Sequence, residues 1–105
     1  MEREGEMLVI SGIFRIAPEC RDRAFALARD MARASRAEDG CHAYSFYADI
    51  EDENVLRIFE EWVSDEALAA HFRTPHMKTF QTGMADLKIL SRDVTKYEIA
   101  QASAL

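Results

Sequence analysis

The sequence predicts an α+β domain on the ferredoxin-like, split βαβ plan, a sandwich of one sheet and one layer of helices. Strand-like and helix-like segments follow one another in the order β, α, β, β, two short helices and β. A short polar turn joins the two middle strands, which predicts an antiparallel hairpin. The chain has 105 residues, of which 49% are hydrophobic, so it can form one domain with its own core.

The first strand and the first helix occupy the first forty residues. Residues 7–16, MLVISGIFRI, are rich in β-branched and aromatic residues and are apolar on both faces. Pro18 suits the first turn of a helix, and Gly40 ends the element. The residues that recur at helical spacing between them form the predicted buried face: Ala24, Leu27, Ala28, Met31 and Ser35.

The hairpin and two short helices come next. Residues 41–48 alternate, with His42, Tyr44 and Phe46 on one predicted face, and the third strand covers residues 55–63. The caps of the helices are Ser64, followed by acidic residues, and Thr74, followed by Pro75 at the first helical position. The predicted inward residues of the second helix are Met77, Phe80, Met84 and Leu87.

A final strand between residues 88 and 99 completes the predicted sheet. Its predicted packed residues are Val94, Tyr97 and Ile99. We expect a single domain over residues 7–100, a flexible N-terminal segment over 1–6 and a C-terminal tail over 101–105.

The helices of this plan cover only one face of the sheet. Met7, Val9 and Ile13 give the first strand an apolar character on its other face as well. A second copy of the chain would cover these residues, so we predict a homodimer whose two sheets pack face to face.

Composition excludes several classes of function. The net charge is −6, and the basic residues are interleaved with acidic ones, so the chain has no basic stripe for nucleic acid. No apolar run approaches the roughly 20 residues that cross a membrane, and the charged segment Met1 to Glu6 is unlike a signal peptide, which predicts a cytoplasmic protein without membrane contact. Cys20 and Cys41 are not in a CxxC pair, which favours packing over a disulfide or a metal clip.

One region gathers side chains that are able to do chemistry. Glu60 and Trp62 project from the same side of the third strand, because they are two residues apart. His71 and Phe72 lie on the following helix, and His76 lies at the start of the next one. A helix folded back on the sheet would bring an aromatic wall, a carboxylate and two imidazoles into one pocket.

Spacing alone leaves two interpretations of these residues open. Each histidine also suits a hydrogen-bonded structural role, and Glu60 also suits an ion pair with Arg57 or Arg73. The two histidines are five residues apart across a proline and lack a third ligand at recognised spacing, so no metal site is predicted. The sequence also lacks a Gly-rich phosphate loop and a nucleophile elbow.

The chain resembles the antibiotic biosynthesis monooxygenase family from Met7 to about Ile99. The resemblance is carried by Gly12 and Phe14 in the first strand and by three segments: EDGCHAYSFYAD from residue 38, FEEWVSDEALAAHF from residue 59, and TPHMKTF from residue 74. The quinol monooxygenase branch is the best match, because DGCHAY and AHFRTPHMK read like segments of that branch.

This resemblance implies a dimeric α+β barrel and oxygenation without flavin, haem or metal. We therefore predict a cofactor-independent monooxygenase that oxidises a small aromatic quinol or polyphenol with O2. The predicted catalytic residues are His71, His76 and Trp62. The predicted substrate-binding residues are Tyr44, Phe46, Glu60, Phe72 and Phe80.

Other branches and classes offer alternatives. The haem-degrading branch uses an Asn in the first strand, whereas the sole Asn of this chain is Asn54 in the hairpin turn, which disfavours haem degradation. An isomerase of a phosphorylated hydroxyketone shares the spacing of His71 and His76, tends to carry Tyr in place of Trp62, and would take its phosphate contacts from Arg73 and Lys78. A third alternative is a dimeric binding or stress-response module without turnover.

Overall fold

A four-stranded antiparallel sheet covered by helices forms the domain in the computed structural model, which describes residues 3–4 and 7–105. The strands of this sheet are β2 (Leu8–Ile16), β3 (Cys41–Ala48), β4 (Val55–Trp62) and β5 (Ile89–Glu98), in the order β3-β4-β2-β5. The helices are α1 (Arg21–Arg36), which follows a 3₁₀ turn at Pro18–Cys20, α2 (Asp65–Phe72) and α3 (Pro75–Ala85). This arrangement confirms the α+β, ferredoxin-like fold.

A second, two-stranded pairing joins the chain ends. It pairs β1 (Arg3–Glu4) with β6 (Gln101–Ala102), in antiparallel register. A flexible segment was predicted over residues 1–6. Of these positions, 1, 2, 5 and 6 lie outside the described residues.

The core lies between the helices and one face of the sheet. The strands contribute Leu8, Ile58 and Trp62 to one buried cluster. The helices complete it with Met31 and Ala32 of α1, Leu68 of α2 and Met77 of α3. Trp62 is fully buried at 0% exposure, so the end of β4 lies in the core. Side chains alternate between the two faces along each strand, and directly paired residues share a face. Leu8 pairs with Trp62 across β2 and β4, so both side chains project into the core.

The amphipathic pattern of α1 is present as predicted. Its buried residues are Ala24, Leu27, Ala28, Met31, Ala32 and Ser35. Its other face carries charged residues in the first and last turns. None of the helices in the described ranges combines the length and the apolar character needed to cross a lipid bilayer.

The caps of α2 and α3 are also present as predicted. The Ser64 hydroxyl accepts a hydrogen bond from the Ala67 N–H at 3.2 Å, and the Thr74 hydroxyl accepts one from the Met77 N–H at 3.2 Å. Thr74 also donates its hydroxyl hydrogen to the His71 carbonyl oxygen at 2.8 Å. This second bond ties the end of α2 to the start of α3 and fixes the distance between the two histidines of that region.

Two predictions about side-chain direction were wrong. Tyr97 is 50% exposed, because its pairing with Val9 places it on the sheet face that turns away from the helices. His42 is exposed and does not share a buried face with Tyr44, because a register shift between Cys41 and Ala43 interrupts the alternation. Cys41 packs against the core in place of His42.

The close approach of β2 and β5 at Gly12 gives a stability prediction. A Cβ at this position would lie 2.2 Å from the Asp93 carbonyl oxygen and 2.4 Å from the Val94 Cα, which are backbone atoms and cannot rotate away. We expect Gly12→Ala to lower the free energy of unfolding by about 2 kcal/mol or more, measured by urea denaturation.

Gly83→Ala is the matched control for this prediction. A Cβ at Gly83 would meet both methyl groups of buried Leu27, at 2.7 and 2.8 Å. These atoms end a side chain and can shift further than the backbone atoms beside Gly12. Alanine is also favoured over glycine within a helix by up to about 1 kcal/mol, so this variant should lose less stability than Gly12→Ala. Equal destabilisation by the two substitutions would contradict the account of Gly12.

Candidate functional site

A cavity of about 830 Å³ opens between the sheet and helices α2 and α3. Six of the eight predicted site residues line it: Tyr44, Phe46, Glu60, His71, Phe72 and Phe80. Arg92 and Lys96 of β5 also line it, so the cavity combines an aromatic wall with a basic side. A pocket of this size and character suits a small aromatic ligand with polar substituents.

Aromatic rings surround His71 on several sides. The ring centroids of Trp62 and Tyr44 lie 4.6 Å and 5.4 Å from the imidazole, and that of Phe72 lies at 5.7 Å. The Phe46 ring, in turn, contacts Tyr44 and Phe80, with centroids 5.9 Å apart in both pairs. The imidazole is therefore enclosed, and the His71 residue is only 1% exposed.

The carboxylate that organises the site is Glu38, in the loop after α1. Its Oε2 atom lies 2.6 Å from Nδ1 of His71 and 2.6 Å from Nε2 of His76. The structure thus brings both predicted histidines together, although His76 contacts Glu38 from outside the set of residues that line the cavity. Distances this short indicate charge-assisted hydrogen bonds.

Sequence reasoning missed Glu38. It is separated from His71 by 33 residues and from His76 by 38, so no local spacing connects them. The available signal was its place as the first residue of EDGCHAYSFYAD, one of the segments that carried the family resemblance.

The hydrogen bond to Glu38 determines where His71 carries its proton. A carboxylate has no hydrogen to donate, so Nδ1 of His71 must be the donor and Nε2 keeps a lone pair. Nε2 is buried and has no hydrogen-bond partner among the described residues. Burial lowers the pKa of His71 more than Glu38 raises it, and His76 lowers it further, which favours the neutral imidazole.

Glu60 is held by Trp62 on the cavity side of β4. The indole N–H of Trp62 donates to Oε1 of Glu60 at 2.8 Å, and both residues are buried. The pKa of Glu60 is raised from 4.5 to about 7, chiefly because the carboxyl is buried. The hydrogen bond from Trp62 acts against this shift, and the charge of Glu38 adds to it. Arg57 was another candidate partner for Glu60. Among the described residues, Arg57 donates instead to the Ser11 hydroxyl at 3.2 Å.

Cys20 and Cys41 are free cysteines, and both are half-buried. Burial, together with the nearby Glu38 and Glu60, raises the pKa of the Cys41 thiol to about 11. A thiol with so high a pKa stays protonated near neutral pH and is a poor nucleophile.

Comparison with known proteins gives the family of the chain. The profile of the family described as antibiotic biosynthesis monooxygenase matches residues 7–83. A Synechocystis protein named "Uncharacterized protein sll1783" is 33% identical over 98 residues, which cover 93% of this chain and 67% of that protein.

Two further relatives cover nearly the whole chain. "Putative monooxygenase YcnE" of Bacillus subtilis is 26% identical over 90% of this chain and 100% of its own length. The solved structure of Rv0793 from Mycobacterium tuberculosis superposes with a TM-score of 0.82 at 28% identity, over 89% of this chain and 94% of that one. With the fold, the cavity and these matches in agreement, the chain belongs to the antibiotic biosynthesis monooxygenase family.

Proposed function

We propose that this protein is a cytoplasmic, cofactor-independent monooxygenase that oxidises a small aromatic quinol or polyphenol with O2. The observation that carries the proposal is the buried Nε2 lone pair of His71, beside an aromatic cavity and without a partner among the described residues. The name of the Bacillus subtilis relative supports the same class of reaction.

The proposed chemistry depends on a base that activates the substrate toward O2. Triplet O2 accepts single electrons, and a phenolate donates an electron far more readily than the protonated phenol does. A residue that removes the phenolic proton therefore prepares the substrate to react with O2 directly. A neutral imidazole is the side chain best suited to this role near pH 7.

The proposed reaction balances for a substrate such as naphthalene-1,4-diol. His71 takes one phenolic proton, the phenolate gives one electron to O2, and the resulting semiquinone and superoxide join at the adjacent ring carbon. The His71 imidazolium protonates the peroxide formed there. The ring carbon then loses its hydrogen as a proton, the O–O bond breaks, and one oxygen stays as a carbonyl while the other leaves as water. The substrate thereby loses four electrons, and the product is a hydroxynaphthoquinone.

Glu38 and His76 support the base in this proposal. Glu38 holds the hydrogen of His71 on Nδ1 and stabilises the imidazolium that forms at the proton transfer. His76 donates to the same Oε2 atom and keeps the carboxylate in place. His76 thus acts through Glu38 rather than on the substrate, and Trp62 acts as the packing surface behind the base.

The other cavity residues orient the aromatic ring. Tyr44, Phe46, Phe72 and Phe80 offer ring faces and edges to an aromatic substrate. Phe72 is 58% exposed, so the exclusion of water from the radical pair falls to the other three rings. Protonated Glu60 donates a hydrogen bond to a second oxygen of the substrate, and ionised Glu60 accepts one. A cavity-lining side chain must move to admit the substrate to the shielded Nε2, and flexible Met77, which packs in the same wall, suits this movement.

The first functional prediction concerns His71. The purified protein should consume oxygen with a reduced naphthoquinol faster than buffer does, and His71→Asn should reduce this rate at least about a hundredfold. Asparagine can still donate to Glu38 from the position of Nδ1, so the variant removes the base and keeps the structural bond. With ¹⁸O2, the product should contain one labelled oxygen atom.

His42→Ala is the control, because this exposed histidine lies outside the cavity-lining set. It should keep the full rate. Full activity in a folded His71→Asn variant would remove His71 from its role. Tight binding of the quinol without oxygen uptake would favour the binding module instead, and conversion of a phosphorylated hydroxyketone without oxygen would favour the isomerase.

The second prediction concerns the pH dependence of stability through Glu60. Its folded pKa of about 7 is raised above the ordinary 4.5, so its ionisation opposes folding. The stability present at low pH is therefore lost progressively from about pH 4.5 to about pH 7, and is then constant. Glu60→Gln should gain up to about 3 kcal/mol over the parent across this interval.

Urea denaturation at pH 4, 6 and 8 measures this difference in the free energy of unfolding. Glu51→Gln, in the exposed hairpin turn, reports the effect of removing one negative charge from an acidic chain. A Glu60→Gln difference that stays the same at all three pH values would contradict the raised pKa.

We also propose that the active unit is a homodimer. The sheet face that turns away from the helices carries Val9 and Ile13, which are half-buried. It also carries the rings of Tyr47 and Tyr97, which are 56% and 50% exposed. Apolar area of this kind supports packing of two sheets face to face. Light scattering at micromolar concentration should give a dimer, and Ile13→Lys should shift it toward the monomer. A parent protein that is a stable monomer would overturn this proposal.

A further inference from the structure

Glu38, His71 and His76 bring together three donor atoms of the types that ligate metal ions. We propose that this cluster binds a divalent transition-metal ion, and that the bound ion switches off the base at His71. The second half of this inference rests on the proposed function, whereas the binding itself does not.

The donor atoms have the right chemistry and are close together. Nδ1 of His71, Nε2 of His76 and Oε2 of Glu38 all lie within 4.8 Å of one another. Two imidazole nitrogens and one carboxylate oxygen suit Zn²⁺, Fe²⁺, Co²⁺ or Ni²⁺, whereas Mg²⁺ and Ca²⁺ prefer sites made of oxygen alone. To form bonds of about 2.0 to 2.2 Å to such an ion, Oε2 of Glu38 must move away from the two imidazole nitrogens, which now lie at 2.6 Å, to admit the ion between the three donors.

The three ligands are fixed by separate parts of the fold. Glu38 follows α1, His71 lies in the last turn of α2, and His76 lies in the first turn of α3. The bond from the Thr74 hydroxyl to the His71 carbonyl at 2.8 Å holds α2 and α3 together at this point. Ligands held in this way lose little further conformational freedom when an ion binds.

The ion and the substrate would approach His71 from opposite edges of its ring. The side chains of His76 and Glu38 are 25% and 13% exposed, so the ion has a path from solvent. Neither residue is among those that line the aromatic cavity. Occupancy of the metal site therefore does not require the ion to enter the cavity, and water would fill its remaining coordination positions.

Binding at Nδ1 changes the tautomer of His71. The metal uses the Nδ1 lone pair, so the hydrogen of the neutral ring must lie on Nε2, and no net proton is lost from this ring. The same exchange moves the hydrogen of His76 from Nε2 to Nδ1. With a hydrogen on Nε2, His71 becomes a donor and has no lone pair to accept a phenolic proton.

The test of the site measures binding without any turnover. Untagged protein, freed of metal with EDTA and dialysed, is titrated with Zn²⁺ by calorimetry and with Co²⁺ by visible spectroscopy. We expect one ion per chain, and Glu38→Gln and His76→Ala should each weaken binding about tenfold or more. These two residues are partly exposed, so both variants should fold, which circular dichroism checks. His42→Ala should bind as the parent does.

Two results would overturn the site. One is the absence of binding to the parent protein, and the other is equal binding by the parent and both ligand variants. Long-range ¹H–¹⁵N spectra of the imidazoles give a further readout, because Zn²⁺ should move the His71 hydrogen from Nδ1 to Nε2. An unchanged tautomer in the loaded protein would overturn the switch.

Oxygen uptake then tests the consequence for activity. With a naphthoquinol, uptake should fall in proportion to Zn²⁺ occupancy and recover when EDTA is added, after subtraction of the rate without protein. Full uptake by the loaded protein would overturn the switch while the binding site stands. If metal-free protein shows no uptake, the proposed function fails, and calorimetry and the ¹⁵N spectra still decide the metal site and the tautomer change.

Discussion

The site depends on a single oxygen atom, Oε2 of Glu38. Two imidazole N–H groups reach it at 2.6 Å each, from residues that follow it by 33 and 38 positions in the chain. Charge-assisted bonds of this length in a mostly buried setting are stronger than neutral ones. They join the end of α1 to the junction of α2 and α3, and they also decide which nitrogen of His71 remains a base. One interaction thus links the tertiary structure to the chemistry.

The position of the cavity follows from the way the helices cover the sheet. The side chains of Leu8 and Trp62 are buried in a cluster to which all three helices contribute, whereas the neighbouring area toward β5 is open and lined by Phe14, Arg92 and Lys96. The aromatic wall therefore lies toward β3 and α3, and the basic side lies on β5. On the basic side, Lys96 also donates to Asp65 at 3.3 Å, so this side of the cavity is connected to the first turn of α2.

Local signals were sufficient to predict the elements but not their long-range contacts. Ser64 and Thr74-Pro75 begin helices wherever they occur in such a context, and alternation orients Tyr44 and Trp62 without knowledge of the rest of the chain. The pairing of Glu38 with His71 requires the fold itself, because it joins a loop to a helix across the domain. The bulge that exposes His42 breaks the alternation that sequence reasoning assumes. Within the site, the residue types were thus predictable, whereas the partner that controls them was not.

Trp62 connects His71, the base of the proposed mechanism, with Glu60, which orients the substrate in it. Its indole N–H binds Glu60 at 2.8 Å, and its ring lies 4.6 Å from that of His71. Because Trp62 is fully buried, neither contact can be lost without opening a gap in the core. The same burial raises the pKa of Glu60 and lowers the pKa of His71, so each group is pushed toward its neutral form. The indole bond opposes this effect at Glu60, because it favours the ionised carboxylate, and with a pKa of about 7 the carboxyl is present in both forms near neutral pH. Trp62 thus holds His71 and Glu60 side by side, while burial shifts the pKa of each.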